Sequence, residues 1–154
     1  MLNKFNSILN LSNLKLKTFT EQNALDYCLL NNLNINKINE LNLSWNELTD
    51  ISGIKLFKNL EILSLGFNKI KDISVLKDLI NLKELYIHNK IENISIIQYL
   101  NNLKTLSIAY LELESDQIKY IKSLKNLETL WCEKEFKDMS VLNQLNKNIK
   151  IFRI

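Results

Sequence analysis

Residues 38–79 read INELNLSWNELTDISGIKLFKNLEILSLGFNKIKDISVLKDL, and two superimposable copies of one pattern fill the stretch. Ile38-x-x-Leu41-x-Leu43-x-x-Asn46 returns 22 residues later as Leu60-x-x-Leu63-x-Leu65-x-x-Asn68. Toward the C-terminus, Leu82-x-x-Leu85-x-Ile87, Leu103-x-x-Leu106-x-Ile108, Leu127-x-x-Leu130-x-Cys132 and Ile149-x-x-Phe152-x-Ile154 continue it at spacings of 22, 21, 24 and 22. Toward the N-terminus, Leu11-x-x-Leu14-x-Leu16 fits with a longer spacing of 27. A pattern repeated at 20–29 residues signals a solenoid. Two apolar residues flanking one polar position read as a short strand with one buried face.

The second half of each repeat is equally regular. Apolar residues recur every third position: Ile51/Ile54/Phe57, Ile73/Leu76/Leu79, Ile94/Ile97/Leu100, Ile118/Ile121/Leu124 and Met139/Leu142/Leu145. A three-residue step suits a short 3₁₀ or α turn with one buried face. Asp50-Ile-Ser52, Asp72-Ile-Ser74 and the variant Asp138-Met139-Ser140 open such segments. Their side-chain oxygens can cap the free amides there.

The string L-x-x-L-x-L-x-x-N-x-I-x-D-I-S-x-L-x-x-L resembles the 22-residue leucine-rich repeats of the phosphatase-regulator and internalin type, over residues 11–154. The resemblance implies an α/β, right-handed solenoid. About seven parallel strands, near 13–17, 40–44, 62–66, 84–88, 105–109, 129–133 and 151–154, would line its concave face, with 3₁₀/α turns on the convex face. It also implies that the repeat asparagine is buried and satisfies loop amides. Asn46 and Asn68 hold that place, Leu111 replaces it, and repeats four and six run one residue short before Ile91 and Phe136. Residues 1–37 form the N-terminal cap and a divergent first repeat, and 38–154 the repeats, in one continuous domain. Thr18-x-x-Glu21 reads as a capping box. Ala24, Leu25, Cys28 and Leu29 mark the buried face of a capping helix, and Phe5, Ile8 and Leu9 a second short helix.

Composition narrows the function. Of 154 residues, 50 are Leu or Ile, 23 Asn and 19 Lys, with two glycines and no proline. Collagen-like, linker and disordered chains are excluded. So are most glycine-dependent phosphate loops, and no G-x-x-x-x-G-K, H-E-x-x-H or G-x-S-x-G is present. The net charge of +3 comes from evenly scattered lysines, without the concentrated stripe of a nucleic-acid binder. Apolar runs are too short to span a membrane, and residues 1–20 make a poor secretory leader. Cys28 and Cys132 form no paired pattern, which fits a reduced, cytoplasmic setting.

Strand alternation sorts the outward residues into columns. Five aromatics fall there: Trp45, Phe67, Tyr86, Tyr110 and Trp131, both tryptophans among them. Exposed aromatics favour protein interfaces. Tyr86 and Trp131, flanked by His88, Glu133 and Arg153, are expected at the centre of a partner site, with Ile62, Trp45, Phe67 and Tyr110 extending it. For Trp45 and Phe67, packing between neighbouring loops is the competing reading. His88 lacks a partner of catalytic or metal-binding spacing, and Cys132 occupies a core leucine position. Glu112, Glu114 and Asp116, with Glu133 and Glu135 beside them, read as a solvated acidic rim rather than a calcium site. No cofactor, metal or enzyme activity is expected. The favoured function is a non-enzymatic protein-binding module, a small inhibitor or regulator that occludes a larger enzyme. A phage-encoded blocker of a bacterial defence nuclease fits that description. The alternatives are an adaptor bridging two proteins or a nucleic-acid binder using aromatics and lysines. Lys147, Lys150 and Arg153 beside the last strand would repel a second copy, so a monomer is expected.

Overall fold

The computed structural model describes residues 7–111, 115–133, 142–143 and 145–154. Seven strands, β1 (Ile8–Asn10), β2 (Glu40–Asn42), β3 (Ile62–Ser64), β4 (Glu84–Tyr86), β5 (Thr105–Ser107), β6 (Thr129–Cys132) and β7 (Lys150–Arg153), form one sheet. Each pairs in parallel with the next, in chain order. Leu41, Leu63, Leu85, Leu106 and Leu130 stand in register and are buried. Among the described residues, no helix is long and apolar enough to cross a membrane.

The return segments are 3₁₀ turns, as their three-residue apolar step requires. Ile54 N donates to Ile51 O and Phe57 N to Ile54 O, both at 3.0 Å, and Ile51, Ile54 and Phe57 are buried. The turn openings are capped by side chains two residues upstream. Asp50 accepts from Ser52 N at 2.8 Å, Asp72 from Ser74 N at 2.7 Å, and Asn93 from Ser95 N at 2.8 Å. In the fifth repeat the turn widens into the short helix Ile118–Lys122.

Asparagine side chains hold neighbouring repeats together. Asn46 Oδ1 accepts from Leu14 N (2.9 Å) and Leu16 N (3.0 Å), and its Nδ2 donates to Leu11 O (2.8 Å) and Leu43 O (2.9 Å). Asn68 accepts from Leu48 N and donates to Leu43 O and Leu65 O. Asn89 accepts from Asn68 N and donates to Leu65 O. A second series lies at the opposite end of the strands. Asn59, Asn81, Asn102 and Asn126 each donate to a carbonyl of the preceding repeat, at 2.7–3.0 Å. Among the described residues, every buried side-chain N or O atom has a partner.

The two ends of the sheet depart from the sequence reading. The first strand is Ile8–Asn10, not 13–17 and not part of a helix, because Leu9 rather than Leu14 pairs with Leu41. Leu14 is exposed. In the last repeat Ile151 aligns with Leu130 and Phe152 with Trp131, one residue off the expected register. Phe152 therefore sits on the outward face and stacks on Trp131, with centroids 4.3 Å apart.

The cap is helix α1 (Glu21–Leu30). Its capping box is Thr20 with Asn23, two residues beyond the expected pair: Asn23 N donates to Thr20 Oγ1 and Thr20 N to Asn23 Oδ1. Only Ala24 and Cys28 are buried on it, whereas Leu25 and Leu29 are exposed. Small residues are required because α1 lies close against the turn Ser52–Leu56. Gly53 N donates to Phe19 O at 2.7 Å. A Cβ on Gly53 would lie 2.7 Å from that oxygen and press on Thr20 O as well. The residues expected around Met139, together with Glu112, Glu114 and Glu135, lie outside the described residues.

Two stability predictions follow from this packing. Leu63→Ala, emptying a fully buried position, should cost about 2–5 kcal/mol, while Ser64→Ala next to it should cost under about 0.5 kcal/mol. Equal denaturation midpoints for the two would contradict the register. Gly53→Ala should cost about 1–3 kcal/mol by overpacking, and a neutral result in urea denaturation would contradict the close approach of α1.

Candidate functional site

The strongest cluster of exposed apolar side chains lies where the strands turn into the loops. Trp45, Phe67 and Tyr110 each lie three residues past the last residue of a strand, with φ of 59°, 58° and 64°. Asn13, with φ 58°, holds the equivalent place in the first repeat. Left-handed backbone disfavours a bulky side chain by about 1–2 kcal/mol, and Gly or Asn is the usual tenant. Aromatics at three such positions are held there against local preference, a pattern associated with functional sites.

The three rings form one surface with His88. Trp45 stacks on Phe67 at 4.0 Å and 18°. Phe67 meets the edge of His88 at 5.5 Å and Tyr110 at 5.9 Å, and His88 meets Tyr110 at 6.0 Å. Trp45 nevertheless remains 60% exposed and Tyr110 57%. Packing between loops and exposure to a partner thus coexist here.

The fourth repeat explains how Phe67 and Tyr110 meet. They belong to the third and fifth repeats, which strand spacing alone sets roughly 10 Å apart. Leu85 and Leu106 are 21 residues apart, one fewer than the preceding spacings. The missing residue is the left-handed one, and Asn89, directly after His88, takes the buried asparagine role. With no fourth-repeat aromatic between them, the two rings close over His88.

His88 Nε2 lies 2.7 Å from Ser107 Oγ. This resembles a nucleophile–base pair, but Ser107 is only 3% exposed. Nδ1 faces Gly66, where a Cβ would come within 3.3 Å of it, rather than a carboxylate. Burial pushes the His88 pKa below its ordinary value, so the ring is neutral at pH 7. Its arrangement positions an aromatic surface and provides no activated nucleophile. Burial also pushes both cysteine thiols up, against the weaker opposing charge of Arg153 at Cys132. Among the described residues, no His/Cys/Asp/Glu group could hold a metal ion.

The residues singled out from sequence divide between two places. Trp45, Phe67, His88 and Tyr110 come together at the strand ends. Trp131 lies apart from them, paired with Phe152. Tyr86 is half-buried in β4 and donates its hydroxyl to Glu84 Oε2 at 2.7 Å; burial, then Glu84, pushes its pKa up to about 12. Ile62 is half-buried in β3, and Glu133 follows β6. Arg153 aligns with the inward Cys132 rather than the outward column, and Phe152 takes the place expected of it. Phe152 was missed because the Ile149-x-x-Phe152-x-Ile154 spacing imitates the repeat.

Residues 36–78 match the family model for leucine-rich repeats, in two copies. Among curated proteins, none matches the sequence. Solved structures resemble the whole fold. An internalin (inlF) of Listeria monocytogenes is 28% identical with a TM-score of 0.69, over 78% of this chain and 36% of that one. An internalin C2 (inlC2) of the same organism is 29% identical with a TM-score of 0.73, over 94% and 69%. A leucine-rich repeat protein of Leptospira interrogans is 25% identical with a TM-score of 0.68, over 94% and 42%. The chain thus spans about a third of the first internalin and about two thirds of the second. With two family-matched repeats inside a seven-strand sheet of that architecture, the chain is a leucine-rich repeat protein.

Proposed function

We propose that this chain is a protein-binding module whose partner docks on the strand-end surface of Trp45, Phe67, His88 and Tyr110. Repeat solenoids commonly work through one extended face. The observation that carries the reading is the set of three aromatics held at left-handed backbone, with Trp45 and Tyr110 left largely open to solvent. Solvent exposure of large rings is the form that interface anchors take before binding. The outward sheet residues Tyr86 and Ile62, with Trp131 and its stacked Phe152, extend the surface toward the C-terminal end.

We favour action by occlusion: a monomeric chain covers a functional site of a larger enzyme in the cytoplasm. The clustered rings of Trp45, Phe67 and Tyr110 on one rim suit covering. The adaptor reading draws support from a different feature. Leu29 and Leu30 on α1 are 80% and 84% exposed, a second apolar area borne by the cap helix.

Exchanging Trp45 and Tyr110 for Asn, the residue found at the equivalent Asn13, separates binding from folding. Relief of backbone strain, about 1–2 kcal/mol per site, offsets the lost ring contacts, about 0.5–1.5 kcal/mol each. The double variant should therefore unfold within about 1 kcal/mol of the native chain. Captured from a host lysate, a partner held by the native chain should be lost, with a binding deficit of about 2 kcal/mol or more. Unchanged capture of that partner, or a collapse in stability, would contradict the proposal.

A further inference from the structure

We infer that a pocket at the short fourth repeat receives a carboxylate of the partner, so that the aromatic rim selects a segment with an acidic side chain beside an apolar one. This rests on the rim being the binding surface, as proposed above. The pocket, about 290 Å³, is lined by Lys71, Lys90, Glu92 and Tyr110, over the buried side chain of Ile91. It lies at the repeat that lacks its left-handed residue. Tyr110 is common to both features, forming a wall of the pocket while its ring centroid lies 5.9 Å from that of Phe67. A side chain resting on Phe67 and Tyr110 would place its neighbour at the two lysines.

The charge pattern fits a carboxylate. Lys55, Lys69, Lys83 and Lys104 each hold a glutamate at 2.6–2.9 Å. Among the described residues, Lys71 and Lys90 are in no ion pair, and Glu92 pairs with neither. Among the described lining residues, two ammonium groups stand against one carboxylate, a positive excess in a partly enclosed site, where a charge-assisted hydrogen bond is stronger than in open water. Stacked nucleobases fit less well: a base-binding platform needs free ring faces, and Trp45 and Phe67 turn a face of each toward the other at 4.0 Å.

A random-peptide display library selected on the native chain tests this without a known partner. Peptides whose binding is lost on Phe67→Asn should be enriched in Asp or Glu next to an aromatic or Leu. Lys71→Glu/Lys90→Glu changes two exposed side chains, and an unchanged melting curve verifies its fold. That variant should bind the selected peptides roughly tenfold or more weakly and, reselected, should prefer Lys or Arg. Phe67-dependent peptides without acidic enrichment, or with enrichment that survives the charge reversal, overturn the pocket and leave the rim surface standing. Absence of any Phe67-dependent peptide overturns both. Binding of a single-stranded oligothymidine that depends on Phe67 and Lys71 overturns the inference in favour of a nucleic acid.

Discussion

The asparagine carboxamide that closes the strand-to-loop turn at Asn46, Asn68 and Asn89 is the interaction on which the molecule depends. A parallel strand that ends inside a stack leaves amides and carbonyls that water cannot reach, and each buried group left unpaired costs about 1–3 kcal/mol. Asn46 answers four such groups at once, two donors and two acceptors, across two repeats. Asn68 and Asn89 carry the arrangement onward, Asn68 accepting from Leu48 N of the preceding repeat and Asn89 from Asn68 N. The same turn places the residue before Asn46 and Asn68 in left-handed backbone and directs Trp45 and Phe67 away from the core. Structural closure and presentation of the rim are thus two results of one geometry.

Irregularity in that turn is what shapes the surface. Loss of one residue in the fourth repeat keeps the hydrogen bonds of Asn89 but removes the side chain that would stand between Phe67 and Tyr110. The rings then meet across His88, whose ring fits over Gly66, and a charged pocket opens beside Tyr110. A perfect repeat would have produced a regular ladder of separate rings. A single step of phase produces a localised cluster.

Periodicity made the middle of the fold legible, because residues 38–108 have a neighbouring repeat on both sides and one register that buries every leucine of the repeat pattern. The ends had weaker constraints. Helix α1 stretches the first repeat to 32 residues between Leu9 and Leu41, while Leu11, Leu14 and Leu16 imitate the motif nearer by. At the last strand either Ile151 or Phe152 could face inward at an edge that is half-covered in both cases, and stacking on Trp131 goes with Phe152 outward. On α1 the pattern held two apolar stripes, and only the close turn at Gly53 selects the small one, Ala24 and Cys28. The second asparagine series was also overlooked, although Asn precedes Leu60, Leu82, Leu103 and Leu127 at the repeat period. The aromatic positions were legible as outward-facing. Their convergence was not, since it depends on how far two rings lean across a missing residue.

Nuclear Overhauser contacts between the ring protons of Phe67 and Tyr110 test this most directly, compared in the native chain and in a variant with one phenylalanine inserted between His88 and Asn89. The insertion restores the regular repeat length and should leave the fold intact. The native chain should show the contact, and the insertion should abolish it by placing a ring between the two. A native spectrum without the contact, or an inserted variant that keeps it, would contradict the dependence of the rim surface on the short turn.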